Sequence, residues 1–432
     1  MKGKRKIKWT AAVLACLVLF GGCGGNSDTP DIYIDSNKPD VVISLFTQGV
    51  NIAEAVQECC NNVINPNNQG NIILYSDSAS YYAEDGLSYR ELLLRRLESG
   101  QADDLYIITA EDVLEFDNKG YIYDLSDLPC IENLSEDALQ QSIYNEKVFS
   151  IPLTYAGFGL IWNMDMLHQY HLEVPGNLEE FWTVCETLKQ NGILPYGANT
   201  DFGLSVPAMC AGLGPLYQNS QSEKLVAELA SGETSISTYM RDGFTFIQTM
   251  IDQGYLNVEQ ALSTLPSSDE EADFFAKGNC AFISAICRAK AFSYDYPFVV
   301  EMTALPVLTE GAVSVVGADQ RLAVNPQSEH LEEALMILEN MCTIPTLNHL
   351  AEEWGKVSSA RGNQASTVSQ AQSLISCMAG GGQVPNQDFS LHFNTWNTIK
   401  ALCVKLCQGA GVDQLCEEYD QMQLEEIELY GG

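Results

Sequence analysis

Between residues 41 and 109 the chain alternates strand and helix signals, and that order restricts the fold more than any other feature of the sequence. Val41-Val42-Ile43-Ser44-Leu45-Phe46 reads as a buried strand, and Ile52 to Val63 carries apolar residues at helical spacing. Asn71 to Tyr75 is a second strand, Tyr89 to Glu98 a helix rich in Leu and Arg, and Asp104 to Thr109 a third strand. Strand, helix, strand, helix, strand is the pattern of a parallel sheet with covering helices. The alternation continues beyond this region without a repeat period. From Lys147 to Asn163 two strand-like runs flank a Pro, a Gly-containing turn and several aromatics. Val313 to Val324 is extended, Leu331 to Cys342 is an amphipathic helix, and residues 362–387 are rich in Ser, Gly and Gln around a central helix. Gly380-Gly381-Gly382 reads as flexible, and helices from His392 onward close the chain.

The N-terminus predicts where the chain goes. Lys2, Lys4, Arg5, Lys6 and Lys8 precede an apolar run from Ala11 to Phe20, followed by Gly21-Gly22-Cys23-Gly24-Gly25. A basic start, a short apolar core and small residues before a cleavage point make a secretory signal. The run is short for a bilayer span, which needs roughly 20 apolar residues. A Cys directly after two glycines resembles a bacterial lipoprotein signal, in which that Cys is acylated and becomes the first residue. Phe20 stands three before Cys23, where Leu is more common. The alternative is an ordinary signal cut nearby. Cys23 is read as the lipid anchor, and residues 26–38 as a polar spacer.

Composition narrows the function. The 432 residues are 46% hydrophobic, enough for a packed core throughout and for two large domains or one two-lobed body. Net charge is −35, and removing the basic signal leaves 57 acids against 17 bases, or −40. Such a surface repels nucleic acid and anionic headgroups, so a covalent lipid is the expected tether. Twelve cysteines remain beyond Cys16 and Cys23, with no C-x-x-C pair, so neither a zinc ribbon nor a thioredoxin-like motif is supported. They are read as buried apolar thiols.

Four segments, in order, carry a family resemblance. Leu97-Glu98-Ser99-Gly100-Gln101-Ala102-Asp103-Asp104-Leu105 turns into a strand, with Ala102-Asp103 in place of the usual residue and Pro. Gly120-Tyr121-Ile122-Tyr123-Asp124-Leu125 is followed by Phe149-Ser150-Ile151-Pro152 and by Gly159-Leu160-Ile161-Trp162-Asn163-Met164-Asp165, with Trp162 where Tyr is usual. Pro175 to Phe181 opens a helix that Leu188-Lys189-Gln190-Asn191-Gly192-Ile193-Leu194-Pro195 closes. Asn177 suits its N-cap, with Glu180 three residues on. Phe274 to Phe282 (FFAKGNCAF) leads to Ala304-Leu305-Pro306 and the helix Glu333 to Leu338. Together these segments resemble the extracellular solute-binding proteins of ABC importers, in particular the sugar-binding group.

The resemblance implies an α/β, two-lobed periplasmic-binding-protein-like fold of type II, with hinge crossings and a helical C-terminus. It divides the chain into a signal peptide (1–22), a lipid-anchored linker (23–38), one lobe (39–152 plus 321–356) and a second (153–320 plus 357–432). The crossings are expected near Pro152 to Ala156, Gly317 to Arg321 and Gly355 to Ser359. It also implies an exported protein on the outer face of the bacterial cytoplasmic membrane, a monomer, serving permease subunits of an ABC transporter. No cofactor, metal or nucleic acid is implied.

Sugars present apolar CH faces rimmed by hydroxyls, so the ligand candidates are aromatic, amide, carboxylate and guanidinium side chains. Phe46 and Gln48 stand at the end of the first strand, where the family places contacts; for Phe46 a core position is the plainer alternative. Tyr155 follows the first crossing, whereas Trp162 reads as scaffold. Asn199 and Asp201 follow the strand-like Leu194 to Gly197, with a solvated turn as the alternative. Asp319, Gln320 and Arg321 form a polar triplet between Val-rich strands, able to bind ligand hydroxyls or to pair with each other. Trp354 precedes the third crossing, and Arg288 lies where relatives often carry a Trp.

Catalytic readings have less support. His168 and His171 near Asp165 lack a third metal-ligand pattern, and no G-x-x-x-x-G-K-[ST], G-x-S-x-G or H-E-x-x-H is present. Two alternatives remain: a surface-anchored glycoside-acting enzyme with two carboxylates across a cleft, and a ligand-binding subunit feeding a sensor kinase.

Overall fold

The computed structural model describes residues 35–80, 82, 87–264, 269–362 and 368–431. Cys23, and with it the expected lipid anchor, lies outside the described residues.

The first lobe is built on β1 (Asp40–Thr47), β2 (Asn71–Ser78) and β3 (Leu105–Ile108). Both β2 and β3 run parallel to β1, with Thr47 opposite Ser78 and Leu45 opposite Leu105. The helix between β1 and β2 begins at Val50 and runs to Cys59, then continues as a π-turn through Ile64, slightly longer than its periodicity predicts. The helix Tyr89–Glu98 is fixed at its start by a capping box, Ser88 with Glu91. Both faces of the sheet are covered. Ile43, Leu45, Ile107 and Leu322 pack with the helix Leu331–Met341, while Phe46, Tyr106, Phe116 and Phe149 pack on the other side.

The chain then enters β4 (Ile151–Asn163), thirteen consecutive buried residues. From Ile151 on, the two strand-like runs of the sequence are therefore one strand, whereas Lys147–Val148 pairs separately with Ile143–Tyr144. Gly157 and Gly159 make no turn; they allow close approach. A Cβ at Gly157 would lie 2.5 Å from Met378 Sδ, and one at Gly159 would lie 2.4 Å from the Thr303 carbonyl oxygen. Along β4 the core changes: Ile151 and Leu153 belong to the first lobe, and Ala156, Phe158, Leu160 and Trp162 to the second.

The second lobe adds β5 (Leu194–Gly197), β6 (Cys280–Ile286) and β7 (Val300–Thr303). Asn177 caps the helix Leu178–Gln190 as its sequence predicts, accepting from the Glu180 N–H at 3.0 Å, while Glu180 Oε2 reaches back to the Gly176 N–H at 2.7 Å. Trp162 is fully buried and donates from Nε1 to Thr303 Oγ1 at 2.9 Å, a scaffold residue as expected. The C-terminal helices Trp396–Cys407 and Val412–Tyr430 complete this core with Leu402, Leu406 and Tyr419.

Three crossings join the lobes side by side. β8 (Ser314–Val324) returns antiparallel to β4, pairing Val315 with Phe158, Asp319 with Thr154 and Leu322 with Ile151. β9 (Val357–Ser358) pairs with the same stretch of β4, placing Val357 opposite Tyr155 and Ser358 opposite Thr154. β10 (Gln383–Pro385) runs parallel to β8. One sheet in the order β2-β1-β3-β8-β4-β6-β5 thus runs through both lobes. The segment after β10 also returns to the first lobe: Phe389 packs edge-on to Tyr144, whose hydroxyl donates to the Tyr430 carbonyl at 3.1 Å.

All twelve described cysteines are thiols, eleven of them buried. Burial pushes most upward, Cys59 and Cys60 to about 12. Among the described residues no group of three His, Cys, Asp or Glu side chains is placed to hold a metal ion.

Candidate functional site

The two cores meet where β4 crosses, and a cluster of half-buried aromatic and charged residues gathers there on the second lobe. Phe158 is buried on β4, two residues past Ala156 and still paired with Val315 of β8. Its ring centroid lies 5.7 Å from that of Phe202 and 5.2 Å from that of Trp396. Phe202 opens the helix Phe202–Tyr217, and Trp396 opens the first C-terminal helix, so two helix starts converge on one strand. Lys400, one turn beyond Trp396, places Nζ 4.3 Å from its ring centroid and pairs with Asp201. Both charged side chains keep about a fifth of their surface exposed, so the pair remains within reach of a solute.

Asn199 fixes this wall from behind. It is buried, and its Oδ1 accepts the N–H groups of Asp201 and Gly203, both at 2.9 Å, satisfying donors at the helix start. Its Nδ2 donates to Glu271 Oε2 at 2.6 Å. Glu271 is only 6% exposed, and its Oε1 has no hydrogen-bond partner among the described residues. Burial, with the charge of Asp201 adding to it, pushes this carboxyl up to about 8. Sequence reasoning placed Asn199 on a solvated or ligand-facing turn; it is instead the internal brace that positions Asp201.

At the crossings the polar triplet separates. Gln320 has a φ of 53°, in the left-handed region, and this turns β8 within its length. Asp319 faces Thr154, whose Oγ1 lies 3.4 Å from Oδ2, and forms an ion pair with the buried Lys356. Arg321, two residues on, points elsewhere: it is buried, donates to Ser142 Oγ at 3.5 Å and stands 5.5 Å from the Phe389 ring centroid. Asp319 and Arg321 therefore do not pair with each other.

Two predicted aromatic platforms are occupied by the scaffold. Phe46 is fully buried, stacks on Tyr89 at 4.9 Å and carries the Arg96 guanidinium 3.9 Å from its centroid. A central strand covered on both faces leaves its side chains no route to a solute. Tyr155 is 4% exposed, accepts from Gln141 Nε2 at 2.8 Å and donates to Gln383 Oε1 at 3.0 Å. Gln141 in turn accepts the Ala318 N–H at 2.8 Å, so Tyr155 is a post holding crossing strands together. Burial holds its hydroxyl well above the usual range.

The remaining candidates are open. Gln48 is exposed beyond the end of β1, its carbonyl accepting from Ser78 Oγ at 3.1 Å. Trp354 is half-buried against the first-lobe core, with Lys356 Nζ 6.0 Å from its ring centroid. Arg288 is half-buried just past β6 and makes no ion pair or side-chain hydrogen bond among the described residues. Gly355 and Ala289 almost touch, a Cβ at Gly355 falling 2.4 Å from the Ala289 nitrogen, so Trp354 and Arg288 flank one contact.

Sequence reasoning missed Phe202, Trp396, Lys400, Lys356 and Glu271. The Trp396–Lys400 spacing of one helical turn was a usable signal, but only the fold brings that turn beside Asp201, some two hundred residues earlier.

Two α/β lobes joined by three adjacent crossings, with a partly open aromatic and ionic wall at the junction, define a two-lobed solute-binding fold of type II. Residues 88–375 match the bacterial extracellular solute-binding protein family, and the chain belongs to it. Among solved structures it is similar to apo RafE from Streptococcus pneumoniae, at 15% identity and a TM-score of 0.70, covering 91% of this chain and 100% of that one. It is also similar to a sugar transporter protein from Bacillus licheniformis solved with stachyose, at 17% identity and a TM-score of 0.64, covering 90% and 100%. The multiple sugar-binding protein of Streptococcus mutans is 27% identical over 107 residues, 24% of this chain and 26% of that protein, so the match spans about a quarter of that relative's length. No helix of the described residues is long and apolar enough to cross a membrane.

Proposed function

We propose that this protein is the lipid-anchored, substrate-binding component of an ABC importer, and that it holds a saccharide between its lobes by hinge closure. The carrying observation is the wall formed by Phe202 and Trp396 around Phe158, with the Asp201–Lys400 pair at its edge. Aromatic faces match the CH faces of a pyranose, and the paired charges offer donors and acceptors to its hydroxyls. Known relatives support the class of solute: the names of the solved neighbours include raffinose and stachyose complexes. Gln48, Arg288, Asp319 and Trp354 are the further contacts that closure would bring to the same solute. The lobes are taken as 39–152 with 321–356, and 153–320 with 357–432. The tether is an acyl group on Cys23, and the downstream partners are permease subunits.

A thermal-shift screen of mono- and oligosaccharides tests this reading, because a ligand bound only by the native state raises the midpoint by mass action. The expected result is a saturable shift with at least one saccharide, no turnover, and a fall in radius of gyration on ligand addition. Hydrolysis of the saccharide would overturn the binding-protein reading. Shifts with amino acids or polyamines alone would overturn the saccharide.

A further inference from the structure

The second lobe contains a cavity that the aromatic wall does not use. It opens to solvent, has room for a group of about 70 Å³, and is lined by Phe202, Ser284, Arg288, Tyr294, Tyr296 and Glu271 among others. Phe202 belongs to both this cavity and the aromatic cluster, so the two adjoin. We infer that this cavity is a subsite for a carboxylate of the solute, gripped by Arg288 and Glu271, and that the solute is an acidic saccharide of the uronic-acid class. The inference rests on the saccharide reading above and deepens it.

Three observations carry it. Glu271 is more than nine-tenths buried and, among the described residues, holds one carboxyl oxygen, Oε1, without a partner, while the other accepts only from Asn199. No cation pairs with it among the described residues. A buried acid with an amide donor and no counter-charge keeps its proton at neutral pH, and so presents an O–H rather than a second negative charge. Arg288 lines the same cavity with its guanidinium unpaired among the described residues, in a chain whose net charge is −35. The neighbouring cation, Lys290, is already paired with Asp269 at 2.8 Å.

A hydroxyl would satisfy one of these groups. A carboxylate satisfies both, because the planar guanidinium offers two parallel N–H donors and the protonated acid offers its own. The local arrangement thereby offsets a global field that disfavours anions. The groups facing Glu271 are consistent with this. Asp201 is neutralised by Lys400 and Asp269 by Lys290, while Tyr196, Tyr296 and Cys280 are held neutral by burial. The carboxyl itself is pushed up to about 8, so ionisation above that pH would place an anion against the solute.

Isothermal titration of the purified protein with digalacturonate and cellobiouronate, each against its neutral counterpart, tests the inference. At pH 7 at least one uronate should bind tenfold or more tightly than its neutral partner, and Arg288→Ala should abolish that preference. Raising the pH from 7 to 9 should weaken uronate binding at least fivefold in the wild type and leave Glu271→Gln unchanged. Equal or tighter binding of the neutral sugars, or a preference that survives Arg288→Ala, overturns the acidic subsite and leaves the saccharide reading standing. Failure of every saccharide, acidic or neutral, overturns both.

Discussion

Asn199 donates from Nδ2 to Oε2 of Glu271 at 2.6 Å, tying the start of the helix that carries Asp201 and Phe202 to the helix Glu270–Ala276. The bond links the site wall to the protonation of one buried acid. The folded state raises that acid from 4.5 to about 8, so between these values the folded chain holds more protons than the unfolded one. Stability therefore falls as pH rises through this window. Glu271→Gln removes the dependence. It should melt close to wild type at pH 5 and be more stable by on the order of 4 kcal/mol at pH 8.5. Denaturant melts at the two pH values check this, and a pH-independent difference would count against a protonated Glu271.

Trp396 and Phe202 should dominate binding. Truncating either to Ala is expected to weaken the saccharide by more than about 1 kcal/mol, since partly buried aromatic anchors concentrate binding energy. Tyr155→Phe is the contrast: it removes a hydroxyl bonded to Gln141 and Gln383, so it should cost stability of about 1 kcal/mol and spare the direct contacts. Titration calorimetry beside thermal melts separates the two effects.

Asp319→Ala leaves the buried Lys356 ammonium without its carboxylate. Because Asp319 is itself about a quarter exposed and water enters, the expected loss is about 1–2 kcal/mol, smaller than for a fully buried pair. Asp319→Ala with Lys356→Met should recover part of it. A double variant no better than the single one would show that the pair does not brace the crossing.

Gly159→Ala tests the close packing of β4 against β7. The added Cβ would lie 2.4 Å from the Thr303 carbonyl oxygen, a backbone atom that cannot swing aside. Overpacking of this kind costs roughly 1–3 kcal/mol. Gly192→Ala is a useful control. Its Cβ meets nothing within 4 Å, so any cost there comes only from its φ of 77°.

Cys23→Ser should release the protein from membranes or leave its precursor uncut, as read by fractionation and by the mass of the N-terminal peptide. Correctly trimmed, soluble wild type would rule out the anchor.

The strand and helix order was legible because burial leaves a periodicity in the sequence. The helix Tyr89–Glu98 matches its expected bounds, and the crossings near Asp319 and Val357 both pair with the one near Thr154. The site was only half legible. Strand-end position drew attention to Phe46 and Tyr155, yet whether an aromatic at a strand end is covered depends on what packs over it. Here Tyr89 covers one, and Gln141 and Gln383 engage the other.

By itself the sequence determined the acidic net charge, the α/β order and the family, all of which rest on composition, periodicity or short motifs. Only the tertiary structure decided which side chains meet. Phe158, Phe202 and Trp396 converge because β4 and two distant helix starts pack around one core, and Lys400 reaches Asp201 across the same junction. Gln320 separates Asp319 from Arg321 by a single left-handed turn of the backbone. The Glu271 carboxyl is pushed up because the fold removes it from water and, among the described residues, gives it an amide but no cation, a property of its surroundings and not of the residue.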